Sequence, residues 1–231
     1  RVRVCGRRQE RAQGAATSPD VAAPFGSPVD DQRIYVHALL EQFEYRATAH
    51  NNLARWDGEA WLGTDANRLW VKSQGQVSPS GNVVDGRHEL LYDRPISSFF
   101  DIQAGVRLDL DSAASRTWAA IGVEGLAPYF LHVSLTAYAR DGGHVAGQAL
   151  GSCDVLLTQR LILQPRLEMN LYGKSDPQRG LGSGLPDLDI GMRLRYEFRR
   201  EFAPYVGLIA NRAFGEDTND TRVVAGVRVW F

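Results

Sequence analysis

The stretch Asp187-Leu188-Asp189-Ile190-Gly191-Met192-Arg193-Leu194-Arg195-Tyr196-Glu197-Phe198 alternates without a break. Leu188, Ile190, Met192, Leu194, Tyr196 and Phe198 share one face of an extended chain; Asp187, Asp189, Gly191, Arg193, Arg195 and Glu197 share the other. Successive side chains of a strand point to opposite faces, whereas a helix would mix the two sets, so the stretch reads as a strand. The same division recurs over Phe100–Leu110, Leu131–Ala139 and Leu163–Leu171. The apolar faces of these segments carry no charge, and no long stretch prefers a period of 3.6.

A soluble antiparallel sandwich alternates as well, so the connections decide between the classes. Strands are predicted near 34–46, 54–63, 67–76, 86–94, 98–110, 116–125, 130–140, 145–157, 160–172, 187–198, 203–213 and 221–231. Every second connection is tight: Thr64 to Ala66, Pro95 to Ser97, Leu126 to Tyr129, Thr158 to Gln159 and Arg199 to Phe202. The others tend to be longer or more polar, among them Val77 to Asp85, Gly173 to Pro186 and Phe214 to Asp220. Short turns on one side and longer loops on the other are the arrangement of an outer-membrane barrel, with the short turns in the periplasm.

The predicted fold is therefore all-β, a single closed antiparallel transmembrane β-barrel of about twelve strands over residues 31–231, with both termini periplasmic. Residues 1–30 lack periodicity and are expected to form a disordered N-terminal lead-in. Phe99, Phe100, Tyr129, Phe130, Phe198, Phe202, Tyr205 and Phe231 fall at or beside the short-turn ends, as an interfacial aromatic girdle would. Val223, Ala225, Val227, Val229 and Phe231 form an outward row that ends in an aromatic C-terminus. Pro165 falls mid-strand, where every backbone donor needs a partner, and a local bulge is expected there.

Composition removes several function classes. With 26 basic and 27 acidic residues the net charge is −1, so no bulk field draws the chain to nucleic acid. No apolar run approaches the roughly eighteen residues of a membrane-spanning helix, which leaves strands as the means of crossing. Cys5 and Cys153 have no ligand spacing and read as unrelated thiols. Arg1 to Arg11 lacks the apolar core of a secretory signal; a barrel is exported, so the signal is expected outside this sequence, or the natural start lies elsewhere.

If the apolar faces meet lipid, the opposite faces fill a lumen with Asp101, Arg107, Asp109, Arg166, Glu168, Asp189, Arg193, Arg195, Glu197, Arg222 and Arg228. Two readings follow: a self-neutralising network that plugs the barrel, or a selective ion path. His37, His50, His88, His132 and His144 are scattered, without a paired ligand spacing. His132 has lumen parity and His37 lies early in the first strand, so these two are the candidate metal ligands. Met169 and Met192 share the lipid-facing parity and are not expected to bind a metal. A lipid hydrolase would need Ser beside His on the lipid-exposed rim; Ser134 and His132 both point inward, so an enzyme is not expected.

Five segments carry a family resemblance: Tyr35–Arg46 (YVHALLEQFEYR), Phe100–Leu110 (FDIQAGVRLDL), Trp118–Val133 (WAAIGVEGLAPYFLHV), Thr158–Tyr172 (TQRLILQPRLEMNLY) and Glu216–Phe231 (EDTNDTRVVAGVRVWF). From about Pro28 onward the chain resembles the copper resistance protein B family. The resemblance implies a Gram-negative outer-membrane barrel in copper resistance and homeostasis, with copper ions as ligand or transported species. The implied partners are outer-membrane lipid, copper and periplasmic copper-resistance proteins; a non-metal porin or structural barrel is the alternative. The family also implies a Met- and His-rich stretch before the barrel, and residues 1–27 contain neither residue. Cys153 stands where an aromatic is expected, and the loop at Phe214–Glu216 is shorter than the family pattern.

Overall fold

Backbone N–H and C=O groups in hydrocarbon have no water to bond, so a chain that crosses as strands must pair them around a closed circuit. The computed structural model describes residues 33–47, 52–110, 115–173, 184–212 and 219–231, and these form such a circuit. Its strands are β1 (Tyr35–Ala47), β2 (Asn52–Gly63), β3 (Arg68–Val77), β4 (Val83–Pro95), β5 (Phe100–Asp109), β6 (Arg116–Ala127), β7 (Leu131–Arg140), β8 (His144–Ser152), β9 (Val155–Leu156), β10 (Leu161–Tyr172), β11 (Gly184–Tyr196), β12 (Phe202–Arg212) and β13 (Asn219–Trp230). All pairings are antiparallel, β8 and β9 both lie along β10, and β1 pairs with β13 to close the barrel. As β8 and β9 are two pieces of one stave, the barrel has the twelve staves that the alternation predicts. The expected lead-in over 1–30, together with Cys5, His50 and the loop Phe214–Glu216, lies outside the described residues.

The sequence predicts one unbroken strand over 145–157, with a bulge at Pro165. Instead the break lies in the neighbouring stave, at Cys153 and Asp154, while Pro165 stays in register opposite Met192. The carbonyl of Pro165 accepts from the Cys153 N–H at 3.3 Å. A strand residue turns its N–H and C=O toward the same neighbour, so the donor that proline lacks is missing from the β8–β9 side. The ladder opens where only one of the two bonds of the Cys153–Pro165 pair can form.

Parity assigns the faces as expected. Leu108, Ile121, Leu135, Ile190, Met192, Leu194, Val206 and Val223 are exposed on the outside, while Arg107, Glu168, Arg193 and Arg195 are buried inside. One irregularity redirects a strand: between Leu40 and Gln42 the register of β1 shifts, with Glu41 as the extra residue. Leu39 faces inward before the bulge and Gln42, Glu44 and Arg46 face inward after it, so Glu41 and Gln42 both reach the lumen.

The five connections that the sequence marks as tight lie at one end, here the terminal rim, where β1 begins and β13 ends; at the other end the three-residue turn Asp141–Gly143 between β7 and β8 is just as short. Phe99, Tyr129, Phe130, Phe198, Phe202 and Phe231 are exposed there. The turn after β6 holds Tyr129 at φ 65° and Phe130 at φ 58°, a left-handed conformation that bulky residues rarely adopt. Tyr205 corrects the expected girdle. It has inward parity on β12, is 5 % exposed, and its hydroxyl donates to Glu44 Oε2 at 2.9 Å.

Glu44 organises this part of the interior. Oε1 accepts from Arg46 Nε at 2.7 Å and Arg193 Nη2 at 3.0 Å; Oε2 accepts from Arg193 Nε at 3.0 Å and from Tyr205. A Cβ on Gly226 would stand 2.7 Å from the Glu44 Cβ and 2.8 Å from the Tyr205 hydroxyl, so the absent side chain makes room for this cluster. Glu44→Ala leaves two guanidinium groups short of an anion in a closed interior. Urea unfolding is expected to show a loss of about 3–5 kcal/mol, against a much smaller loss for Leu39→Ile. On the other face, Leu135→Arg puts a charge midway along a lipid-facing strand. It is expected to cost about 2–4 kcal/mol when unfolding is measured in bilayers.

Candidate functional site

Inward parity along antiparallel staves brings residues far apart in sequence to one level of the lumen. Toward the terminal rim they leave a cavity of about 360 Å³. Its walls carry six carboxylates, from Glu41, Asp57, Glu59, Glu89, Glu124 and Asp154, against three permanent cations, from Lys72, Arg166 and Arg228. Several are already engaged: Arg228 Nε donates to Glu41 Oε2 at 2.6 Å, Arg195 Nη2 to Asp154 Oδ2 at 2.7 Å, and Lys72 to Glu124. The surplus of acid makes the cavity attractive to cations and hostile to anions.

His132 lies in the wall of this cavity, with its side chain about half exposed. Its Nε2 is 3.6 Å from Glu124 Oε1, and Ser134, Ser152 and Cys153 line the same space. Among the described residues no three His, Cys, Asp or Glu side chains converge as a metal cage. What the wall offers is an accessible imidazole beside a carboxylate, a two-donor arrangement.

His37 is elsewhere. Its ring stands 6.1 Å from that of Trp61 and 6.2 Å from that of Trp230, centroid to centroid, near the terminal rim. Trp61 in turn lies 6.2 Å from Trp70, with Arg68 over its face at 5.4 Å. The two sequence-predicted residues therefore do not share a site. The tryptophans around His37 could have been placed by strand parity, because Trp61, Trp70 and Trp230 all fall on lumen-facing positions.

Past the cavity the lumen is crossed by ion pairs. Arg166 Nη2 donates to Asp57 Oδ2 at 2.8 Å, and Arg55 Nη2 donates to Glu168 Oε2 at 2.9 Å and Oε1 at 3.1 Å. These pairs link β2 to β10, which are separated around the barrel by β1 and β11 to β13 on one side and by β3 to β8 on the other. Sequence reasoning found the lumen charges without their partners, because separation in sequence carries no information about which residues meet across a barrel.

A third arrangement was not foreseen. On the outer face, Trp56 Nε1 donates to Ser73 Oγ at 3.0 Å, and Ser73 Oγ lies 3.1 Å from His88 Nδ1. The Trp56 indole covers Gly75, where an added Cβ would come within 2.3 Å of the ring. The trio pairs the Trp56 indole N–H, the Ser73 hydroxyl and the Nδ1 of His88 on the outer face. Ser134 and His132, singled out by sequence, line the interior cavity instead.

Comparison with solved structures finds the same barrel architecture at low sequence identity. The KdgM porin superposes with a TM-score of 0.53 at 16 % identity, covering 84 % of this chain and 99 % of the porin. The NanC porin gives 0.55 at 10 % identity, with the same coverage of 84 % and 99 %. Sequence relatives are far closer. "Copper resistance protein B" of Escherichia coli is 41 % identical, over 93 % of this chain and 77 % of its own length. "Copper resistance protein B homolog" of Pseudomonas syringae pv. tomato is 38 % identical, over 93 % and 78 %. The family model described as "Copper resistance protein B precursor (CopB)" matches residues 34–231, the whole of the barrel, and with that match the chain belongs to the copper resistance protein B family.

Proposed function

We propose that this barrel sits in the bacterial outer membrane with both termini in the periplasm, and that its terminal-side cavity captures copper ions from that side. The observation that supports this reading most directly is the cavity with its acid surplus and half-exposed His132 beside Glu124. Imidazole nitrogen and carboxylate oxygen suit Cu(II), and the acid surplus concentrates any small cation before it meets the imidazole. Two donors with open positions hold an ion loosely, and a site on a conduction path has to release what it binds. His37, between Trp61 and Trp230, is the second candidate contact at the same rim, placed to meet an ion or its periplasmic carrier first.

The alternative is a structural barrel without a copper path, favoured by the dense pairing of charges deeper in the lumen. Calorimetric titration of the refolded barrel with Cu(I) and Cu(II) separates the two. Wild type is expected to bind, His132→Ala to weaken binding by roughly tenfold or more through loss of its nitrogen ligand, and His37→Ala to weaken it less. Absence of binding above background in wild type, with unchanged copper tolerance when the gene is deleted, overturns the copper reading and supports the structural one.

A further inference from the structure

The two pairs that cross the lumen are stacked along its axis with their charges reversed. In the rung nearer the terminal rim the acid is on β2 and the base on β10, Asp57 with Arg166; in the next, the base is on β2 and the acid on β10, Arg55 with Glu168. The first rung lines the large cavity. The second lines a separate pocket of about 50 Å³ on the far side, which it shares with Gln74, Gln76, Arg87 and Asn170. All four residues are buried.

The barrier continues around the barrel from these rungs. Gln148 Nε2 of β8 donates to Glu168 Oε1 at 3.4 Å, and its Oε1 is 3.4 Å from the Tyr138 hydroxyl of β7. That hydroxyl donates to Glu89 Oε1 of β4 at 2.6 Å. With its carboxamide oriented to the network, Gln42 of β1 accepts from Arg166 Nη1 at 2.7 Å. Arg166 Nη2 lies 3.6 Å from Glu168 Oε2 and ties the two rungs together, so side chains from β1, β2, β8 and β10 form a partition of hydrogen bonds and ion pairs between the cavity and the far pocket, with the Tyr138–Glu89 bond of β7 and β4 beside it.

We propose that this partition is a gate, closed in the conformation described, and that ions cross the barrel only when the Asp57–Arg166 and Arg55–Glu168 rungs part. The proposal rests on reading the barrel as an ion conduit and names what regulates it. What sets these rungs apart from the other ion pairs of the interior is their place: the cavity lies on one side of them and the far pocket on the other, with Gln74 lining both. Each rung is neutral as a pair, so parting them exposes two carboxylates and two guanidinium groups to the path together. A cation arriving in the cavity competes with Arg166 for Asp57, which couples entry of the ion to release of the first rung.

Planar-bilayer recording of the full refolded chain in molar potassium chloride tests this without copper. Wild type is expected to be mostly closed, with brief openings. Arg55→Met/Glu168→Met and Asp57→Asn/Arg166→Met each remove a rung without stranding a charge. The combined four-site variant is expected to raise mean conductance by roughly tenfold or more. Folding of every variant is checked by its heat-modifiable mobility in gel electrophoresis. Should the four-site variant not fold, Glu168→Gln and Asp57→Asn, which keep side-chain shape, are recorded in its place and are expected to raise the open fraction. A wild type that conducts as a steadily open pore overturns the gate, and so do folded variants no more conductive than wild type. Because the current is carried by potassium and chloride, a failed copper titration leaves this outcome readable, and a failed gate leaves the His132 site untouched.

Discussion

A chain that crosses hydrocarbon as strands must give every backbone donor and acceptor a strand partner, and the seam between β1 and β13 is where that requirement is met. Closure has a second consequence. With lipid on the outside, the hydrophobic face of every stave turns outward, and the polar face is left to an interior with little water. The interior of this protein is therefore rich in Arg, Glu, Asp, Gln and Tyr, beside an apolar cluster around Trp70, Leu91 and Trp118, and its charged groups depend on satisfying one another.

That demand explains the character of the network. A guanidinium presents donors in a planar fork that can meet both oxygens of one carboxylate, as Arg193 does with Glu44 through Nε and Nη2, while Arg55 reaches both oxygens of Glu168 from Nη2 alone. Aromatic faces cover the remaining guanidinium surface: Arg107 lies 4.5 Å from the centre of the Tyr138 ring and 5.6 Å from that of Trp118. Such an interior is rigid where pairing is complete and open where it is not. The cavity around His132 lies where acid outnumbers base, and the partition beyond it lies where the two are matched.

Local features serve the same closure. The extra residue at Glu41 breaks the alternation of β1 once, which lets both Glu41 and Gln42 join the network and sends Glu44 and Arg46 inward above them. Pro165 removes one donor, and the neighbouring stave breaks there into β8 and β9 instead of leaving an unpaired carbonyl within a regular ladder. Neither event has a sequence signature of its own: Glu41-Gln42 reads as two polar residues, and the break at Cys153-Asp154 depends on what lies beside it.

Strand parity made most of the architecture legible in sequence, because a period of two is a property of the chain itself. The staves, the outward row ending at Phe231, the inward placement of Arg107, Glu168 and Arg193, and the position of His132 on a lumen face all follow from it. Tyr205 shows where that reading stops. Its place near a short turn suggested the girdle, but its odd-numbered position on β12 sends it inside to Glu44. The rungs between β2 and β10, the hydrogen-bonded trio on the outer face and the separation of His37 from His132 were decided by the tertiary structure alone. Alternation along one strand tells which face a side chain takes; which residue it meets depends on shear, curvature and closure, and those exist only once all the staves are in place.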